Sequence, residues 1–430
     1  MINILKKKIK KKTIIVGIVG LGYVGLPLAK TFIRNQVKVY GFDTDKNKIK
    51  MLINGKSYIN YLKNKDILNM RSKLEPFSSF EKIYDCDAII LCLPTPIKKN
   101  KSPEMKYIEN SLKNIQKYLR EGQILSLEST TYPGTTEEVI MPYLKKFIIG
   151  KNFFLVYSPE REDPGNKKYS NEKIPKVIGG ITKNCLSIGH KLYQLMGTNI
   201  IKVSSVRIAE MTKLLENIYR SVNIGLVNEL KLLCKKMNLN IFEIINTAKT
   251  KPFGFQAFYP GPGYGGHCIP IDPFLLSWKA KKYNFETDFI KLSGKINERM
   301  PNYICKKIIK FLQKERKKKK KCLIIGVAYK KNVDDMRESP SIKIIEILEK
   351  NKIHCDFHDP YIKTIKQLRN YKKIKYSVEL KKVNLKTYDA VVIATDHDKL
   401  NYRFLQRNSK KIFDCRGRYS DKNFKNIEQL

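Results

Sequence analysis

Apolar residues in the first half of the chain form short runs separated by stretches that are compatible with helices. Each run is mostly apolar, as expected of a strand whose two faces are both buried. Strands that alternate with helices are typical of a parallel sheet covered on both sides. The pattern predicts a doubly wound α/β domain with strands at residues 14–19, 37–42, 88–92, 124–127 and 153–157.

A different pattern begins at Val206. From there to about Met237, apolar residues recur at spacings of three and four, which predicts one long helix. A lysine run at residues 317–321 then marks a solvated boundary, and a second α/β section follows with apolar runs at 322–327 and 390–394. We expect two Rossmann-like doubly wound parallel-sheet domains, residues 1–200 and 316–430, joined by a central long-helix segment at 201–315.

The composition is strongly basic, with 84 Lys and Arg against 40 Asp and Glu and a formal net charge of +44. These residues are spread along the whole chain, which argues against a dedicated nucleic-acid surface, although a basic nucleic-acid-binding protein stays as an alternative. A positive field also attracts a small anion such as a nucleotide diphosphate. We therefore expect a small anionic substrate and no nucleic-acid partner.

The nine cysteines include no C-x-x-C pair, which disfavours a disulfide framework and a zinc cage and fits a reducing, cytoplasmic location. The histidines show no metal-ligand spacing, so we predict no metal. The apolar run at residues 13–28 contains four glycines and is interpreted as a strand and turn rather than a signal peptide. No segment predicts a membrane span.

A glycine-rich turn, G-L-G-Y-V-G, follows the first predicted strand and opens a helix-compatible stretch. Its glycines at positions 20, 22 and 25 suit a tight turn, the close approach of a pyrophosphate and close packing of the helix on the strand. The next strand ends in Asp43, where a carboxylate can accept hydrogen bonds from a ribose diol and repel a 2′-phosphate. The turn predicts NAD binding, with a glycine turn in a flavodoxin-like sheet as the alternative.

A second informative segment is F-Y-P-G-P-G-Y-G-G-H-C-I-P-I-D-P at residues 258–273. Glycines and prolines crowd the backbone just before Cys268, which is unusual around a purely structural thiol. By contrast, Cys234 and Cys305 lie in periodic apolar runs and are expected to fill cores. Cys268 is therefore the candidate nucleophile.

With this loop and the glycine turn, residues 14–418 resemble the UDP-glucose and GDP-mannose dehydrogenase family. Three segments are most similar to UDP-N-acetylglucosamine 6-dehydrogenases: G-G-H-C-I-P-I-D-P, E-S-T-T-Y-P-G-T-T at 128–136 and Y-S-P-E-R-E-D-P-G-N at 157–166. Family members that act on UDP-glucose more often have serine and lysine where this chain has His267 and Ile271.

The resemblance implies oxidation of a sugar C6 alcohol to a carboxylate, with Cys268 forming a thiohemiacetal and then a thioester. It implies that Asp272 assists the hydrolytic water, although a helix N-cap is an alternative role for this residue. Lys213 and Asn217, four residues apart and so on one helix face, resemble the groups that stabilise the oxyanion. Glu160 is similar to the family's general acid/base, and Thr130 to the residue that orients its water.

The resemblance also assigns ligand contacts. The cofactor residues it implies are Gly20, Gly22, Tyr23, Val24, Gly25, Asp43, Pro94, Thr95, Thr130, Lys330 and Arg337. The substrate residues it implies are Glu160, Lys213, Asn217, Phe253, Gly254, Tyr259, Gly265 and Arg337. Arg337 is suited to bidentate phosphate recognition.

The expected reaction is conversion of UDP-N-acetylglucosamine, two NAD and water to the uronate and two NADH, for surface polysaccharide precursors. UDP-glucose and UDP-N-acetylmannosamine are alternative substrates. A hydroxyacid dehydrogenase, which also couples a Rossmann domain to a long helix with lysine and asparagine, is an alternative that needs no thiol. We expect the active site at strand ends between the two sheets, and a homodimer or higher homo-oligomer.

Overall fold

The computed structural model describes residues 1–59, 61–98, 100–161, 174–314, 319–368, 371–380 and 385–430. The chain forms two compact units. Unit 1 comprises Met1–Glu216 and Trp278–Asn284, and unit 2 comprises Asn217–Ser277 and Phe285–Leu430. Part of the motif at 157–166, from residue 162 onward, and residues 317 and 318 of the lysine run lie outside the described residues.

Unit 1 is built on an eight-stranded sheet with the strand order β3-β2-β1-β4-β5-β6-β7-β8. Neighbouring strands are parallel except β6 and β7, which are antiparallel. The strands are β1 (Ile15–Val19), β2 (Lys38–Phe42), β3 (Leu74–Phe77), β4 (Ala88–Leu91), β5 (Ile124–Leu127), β6 (Phe154–Tyr157), β7 (Lys176–Gly180) and β8 (Ile200–Lys202). All five predicted strands are present.

Successive residues of the central strands enter two different cores. Ile18 and Ile90 belong to one buried cluster, whereas their neighbours Val19 and Leu91 belong to a second. Side chains alternate between the faces of a strand, so the two clusters cover opposite faces of the sheet. This arrangement explains the uninterrupted apolar runs and confirms the doubly wound prediction.

Six α-helices of the described residues lie wholly in unit 1. They are α1 (Ile2–Lys11), α2 (Gly25–Arg34), α3 (Lys46–Ile53), α4 (Asn64–Met70), α5 (Lys106–Ile115) and α6 (Lys183–Gln194). The sequence pattern did not predict α1, whose buried residues are only Leu5 and Ile9, spaced by one helical turn. The Lys8 ammonium lies 2.6 Å from the buried Asp87 carboxylate, which attaches this helix to the sheet.

The long helix α7 (Val206–Lys236) begins in unit 1 and continues into unit 2, and it confirms the prediction for residues 206–237. Unit 2 contains a five-stranded parallel sheet with the order β10-β9-β13-β14-β15. Its strands are β9 (Lys320–Ile325), β10 (Ile353–His358), β13 (Ala390–Ile393), β14 (Ile412–Asp414) and β15 (Ile427–Gln429), and a separate pair is formed by β11 (Thr364–Ile365) and β12 (Lys375–Tyr376).

The remaining helices follow α7 in the sequence. They are α8 (Ile241–Ala248), α9 (Asp272–Ala280), α10 (Asp288–Gln313), α11 (Pro340–Lys350) and α12 (Tyr402–Asn408). Two parallel sheets and a long helix give the α/β class that the sequence predicts. Among the residues that the structure describes, no helix combines the length and the apolar character of a membrane span.

Candidate active site

The turn after β1 requires glycine at two positions and leaves a third open. Gly20 has a φ of +94°, and a Cβ there would lie 2.4 Å from the Cys92 carbonyl oxygen. A Cβ on Gly25 would lie 2.0 Å from the carbonyl oxygen of Gly20. A Cβ on Gly22 would meet nothing within 4 Å, so its backbone is accessible to a ligand. Tyr23 and Val24 lead from this turn into α2.

Asp43 follows β2 and faces the same turn. One carboxylate oxygen accepts the backbone N–H of Leu21 at 3.0 Å and lies 2.9 Å from the Lys48 ammonium, while the other accepts the N–H of Asp45. The carboxylate is therefore fixed beside the glycine turn, at the distance along the chain that ribose recognition requires. These groups fit an NAD molecule, with its pyrophosphate at the N-terminus of α2.

The loops after β4 and β5 are tied together. The Thr95 hydroxyl donates to the Thr130 carbonyl oxygen at 2.6 Å, and the Leu93 N–H donates to the Ser129 hydroxyl at 2.9 Å. Pro94 lies between these two links. The carboxyl ends of adjacent parallel strands thus bring the predicted cofactor residues Pro94 and Thr95 close to Thr130, at the edge where α/β sheets bind ligands.

Glu210 of α7 holds the loop that follows Thr130. Its buried carboxylate accepts the Gly134 N–H at 2.6 Å, and the N–H and hydroxyl of Thr136 at 2.9 and 2.7 Å. Burial raises the pKa of Glu210 to about 7, against the opposing effect of the hydrogen bonds from Thr136 and Gly134. Sequence reasoning missed this residue, since one glutamate in a helical pattern gives no signal of burial.

Glu160 follows β6, and its carboxylate is held at both oxygens. One oxygen accepts the N–H of Arg161 at 2.7 Å, and the other lies 3.4 Å from the ammonium of Lys176 on β7. Lys176 also contacts Glu128, the residue after β5, at 2.9 Å. Neither Lys176 nor Glu128 received a role from the sequence. The available signals were the placement of Glu128 in the E-S-T-T motif and a lysine as the first residue of an otherwise apolar strand.

In unit 2, Cys268 lies one turn before α9. Its carbonyl oxygen accepts the N–H groups of Ile271 and Asp272 at 3.0 and 2.8 Å. Cys268 is half-buried, whereas Cys234 and Cys305 are buried in apolar clusters as predicted. The N-terminus of a helix favours negative charge, and thiolate is the nucleophilic form of cysteine.

Asp272 is the first residue of α9, and it is joined to the long helix. The side-chain amide of Asn217 donates to the Asp272 carboxylate at 2.6 Å. Both residues are buried, and Asp272 lies four residues from Cys268. Lys213 lies one turn before Asn217 on α7 and is also buried, so both predicted oxyanion groups are on one helix face.

The loop before Cys268 packs against the segment that carries Lys330 and Arg337. The Gly266 N–H donates to the Arg337 carbonyl oxygen at 3.0 Å, and a Cβ on Gly265 would lie 2.8 Å from that of Tyr329. The Arg337 guanidinium makes a bidentate contact with the Asp335 carboxylate, at 2.6 to 3.0 Å. A phosphate would have to replace this carboxylate as the partner of the guanidinium.

Three of the predicted substrate residues, Phe253, Gly254 and Tyr259, precede Gly265 in the sequence. Phe253 is 70% exposed and Gly254 has a φ of +70°. Tyr259 is 43% exposed, and its hydroxyl donates to the Asn246 side chain at 2.7 Å. In unit 2 the structure brings Cys268, Asp272 and Asn217 into one neighbourhood, whereas Phe253 lies on the surface.

The described part of the chain contains no group of three or more His, Cys, Asp or Glu residues arranged to hold a metal ion. Its polar groups instead suit an organic cofactor and an anionic substrate. A dinucleotide turn on a doubly wound sheet, followed by a long helix and a second parallel sheet, defines an NAD-dependent oxidoreductase.

Comparison with known proteins specifies the family. The UDP-glucose/GDP-mannose dehydrogenase family matches in three successive parts: its NAD binding domain at residues 14–197, its central domain at 207–299 and its UDP binding domain at 323–421. The chain belongs to this family and is an NAD-dependent nucleotide-sugar 6-dehydrogenase.

Individual relatives cover nearly the whole chain. Protein CapL of Staphylococcus aureus is 34% identical, with 94% of this chain and 95% of the relative covered. A UDP-N-acetyl-D-glucosamine 6-dehydrogenase of Salmonella typhi is 33% identical, with 95% and 94% covered. The structure of a UDP-D-ManNAc dehydrogenase from Pyrococcus horikoshii superimposes with a TM-score of 0.87 at 30% identity, covering 97% of this chain and 99% of that one.

Proposed function

We propose that this enzyme oxidises UDP-N-acetylglucosamine to UDP-N-acetylglucosaminuronate through a thioester on Cys268. The observation that carries the proposal is the half-buried Cys268, placed before α9 beside Asp272, with Asn217 bonded to Asp272. A nucleophile, a carboxylate and an amide donor are the groups that acyl chemistry at a thiol requires.

The reaction converts the alcohol, two NAD⁺ and one water to a carboxylate, two NADH and three protons. When bound, NAD accepts a hydride in each of the two oxidations. Cys268 adds to the aldehyde carbon to form a thiohemiacetal, and the second oxidation leaves a thioester on the same sulfur. Water then cleaves the carbon–sulfur bond and regenerates the thiol.

The other residues supply protons and charge stabilisation. Glu160 exchanges protons with the C6 hydroxyl through a water that Thr130 orients. Lys213 and Asn217 stabilise the oxyanion of the addition and hydrolysis steps, and Asp272 assists the hydrolytic water. Asp272 also begins α9, so the catalytic role and the helix-terminal role belong to one residue.

The choice of sugar rests on the sequence of the catalytic loop, in which His267 precedes Cys268 and Ile271 precedes Asp272. The Salmonella typhi relative, named for UDP-N-acetylglucosamine, supports it. UDP-N-acetylmannosamine is the second candidate, because the Pyrococcus horikoshii structure with a TM-score of 0.87 is named for that sugar. Turnover of these two sugars and UDP-glucose by the purified enzyme ranks the three substrates.

The chemistry is tested by counting NADH from a limiting amount of UDP-N-acetylglucosamine. Two NADH per sugar are expected, and one NADH with accumulating aldehyde would contradict the thioester route.

Cys268→Ala should lower the rate of complete oxidation on the order of 10³-fold or more, since the covalent intermediate is lost. Cys234→Ala, at a core cysteine, is the control for loss of a thiol. Full activity of Cys268→Ala would favour a dehydrogenase that needs no thiol.

We further propose a homodimer in a reducing, cytoplasmic compartment, with the product used for surface polysaccharide precursors. The support for the dimer is an apolar stripe on α7, defined by Tyr219, Leu226, Leu230 and Leu233, which are 38–50% exposed. Exposed apolar stripes on long helices commonly mark interfaces. The support for the compartment is that the cysteines are odd in number and include no C-x-x-C pair. We also propose that the chain comprises three domains, with boundaries after residues 200 and 315.

A further inference from the structure

A buried lysine lies at the centre of a charged cluster in unit 1. The Lys176 side chain is 5% exposed, and its ammonium lies 2.9 Å from the Glu128 carboxylate, which is 0% exposed. The second oxygen of Glu128 accepts the hydroxyl of Tyr193 on α6 at 2.7 Å, and that hydroxyl lies 2.8 Å from the hydroxyl of Ser126. Glu128 is thus anchored from two sides, and it anchors Lys176 in turn.

The cluster extends from this anchor to the surface at Glu160. The Glu160 side chain is 22% exposed, and one of its oxygens lies 3.4 Å from the Lys176 ammonium. The ammonium also lies 3.4 Å from the Pro159 carbonyl oxygen. Lys176 therefore directs its hydrogen-bond donors at two carboxylates and one carbonyl oxygen. The Glu128 carboxylate is buried, the Glu160 carboxylate is partly exposed, and the carbonyl belongs to Pro159.

We propose that Lys176 is a positioning residue that holds the Glu160 carboxylate in the orientation needed for proton transfer. The inference rests on the role of Glu160 in the proposed function. Glu160 follows β6, and one of its carboxylate oxygens accepts the Arg161 N–H at 2.7 Å. A cation anchored by Glu128 constrains the other.

The charge state of Lys176 suits this task. Burial favours the neutral amine, but the adjacent Glu128 and Glu160 carboxylates outweigh it and raise the pKa of Lys176. The residue is therefore a fixed cation at neutral pH. An uncharged residue of the same length could fill the space but could not orient the carboxylate.

The test compares Lys176→Met with Lys176→Arg in steady-state assays with NAD and UDP-N-acetylglucosamine. Lys176→Met should lower kcat about 10- to 100-fold, with KM changed less than about threefold. This loss is smaller than the roughly 10²- to 10⁴-fold of a whole general acid–base contribution, because Glu160 itself is still present. Lys176→Arg keeps the charge and should recover most of kcat. The control is Lys202→Met, an exposed lysine on the neighbouring strand β8, which should behave as wild type.

A double variant, Lys176→Met with Glu128→Gln, removes both charges of the buried pair together and so leaves no unpaired buried carboxylate. If it folds and keeps wild-type kcat, the pair is only structural and the proposal is overturned. If kcat falls as in Lys176→Met, the positioning role is supported. Equal kcat for the Met and Arg variants would also contradict it.

Glu160→Gln separates this inference from the proposed function. If Glu160→Gln has wild-type kcat, the role of Glu160 itself is wrong. If Glu160→Gln is impaired while Lys176→Met is not, Glu160 acts as proposed and only the positioning role of Lys176 fails.

Discussion

Two carboxylates of unit 1, Asp43 and Glu210, differ in what surrounds them. Asp43 is close to the Lys48 ammonium and to backbone N–H groups, whereas Glu210 receives hydrogen bonds in a buried setting with no adjacent cation among its described contacts. The same functional group therefore lies beside the glycine turn at one position and anchors a loop at the other. Each environment leads to its own prediction.

Asp43→Asn should relax the preference for NAD over NADP. The substitution removes the charge that repels a 2′-phosphate and frees the Lys48 ammonium to attract it. The ratio of kcat/KM with NAD to that with NADP is expected to fall about fivefold or more, because a close charge interaction is worth about 1 kcal/mol or more. The control is Asp45→Asn, which makes the same charge change two residues away and keeps a good cap for α3. It should leave the ratio unchanged. An unchanged ratio in Asp43→Asn would refute the assignment.

Glu210 should make unit 1 less stable as the pH rises. Its pKa of about 7 exceeds the value of about 4.3 for an unfolded chain, so the folded state binds the proton more tightly. The stabilisation from this proton reaches about 4 kcal/mol below about pH 4 and is lost as the pH rises through 7.

Glu210→Gln cannot ionise at this position. Its stability relative to wild type should therefore be higher at pH 8 than at pH 5. The melting temperatures of both proteins are measured at each pH. The difference between variant and wild type should change by several degrees from pH 5 to pH 8. Glu229→Gln, at an exposed position on the same helix, should show no such trend. A melting-temperature difference that is independent of pH would show that Glu210 does not titrate in this range.

At the scale of elements, α7 shows that hydrophobic periodicity predicts a helix but not which of its apolar residues are buried. The spacing predicted the helix, and Leu214 and Ile218 are buried as a core-facing stripe should be. However, Met211 and Leu215 from the same pattern are 37% and 59% exposed. Periodicity identifies apolar faces but does not say which of them the same chain covers.

Charging the apolar stripe on α7 should separate the proposed dimer. Leu226→Glu with Leu233→Glu places two carboxylates in an apolar contact, where unpaired charges are costly. Sedimentation velocity should show a monomer of about half the wild-type mass. Ile148→Glu makes the same change at an exposed apolar residue away from α7 and should leave the assembly intact. An unaltered sedimentation coefficient in the double variant would place the interface elsewhere.

At the scale of the whole molecule, the net charge of +44 acts on every encounter with an anion. A positive field raises the rate at which anionic ligands meet the protein, and salt screens this effect beyond roughly 8 Å at physiological ionic strength. Steps that follow binding are local and less sensitive to the field.

Raising the salt concentration from about 0.05 to 0.5 M should therefore lower kcat/KM for the nucleotide sugar severalfold, while kcat changes little. Initial rates at limiting and saturating sugar measure the two quantities. An equal loss in both would indicate damage to the catalytic step rather than screening of the encounter.

The sequence by itself determined the α/β class, the strand positions in the first half, the dinucleotide turn and the family. These properties depend on local rules: burial of a strand makes its run apolar, and only glycine fits at Gly20 and Gly25. The placement of Cys234 and Cys305 in cores could also be predicted, because their neighbours show the period of buried helices.

Only the tertiary structure decided which polar groups meet. Lys176, Glu128 and Glu160 are up to 48 residues apart, and Glu210 lies 76 residues from Gly134. Such contacts arise because the carboxyl ends of the parallel strands β5 and β6 lie at the same sheet edge as the start of the antiparallel strand β7, and because α7 packs beside the loop after β5. A single sequence records the charge of each residue but not its burial, so the partners of these ions became visible only in three dimensions.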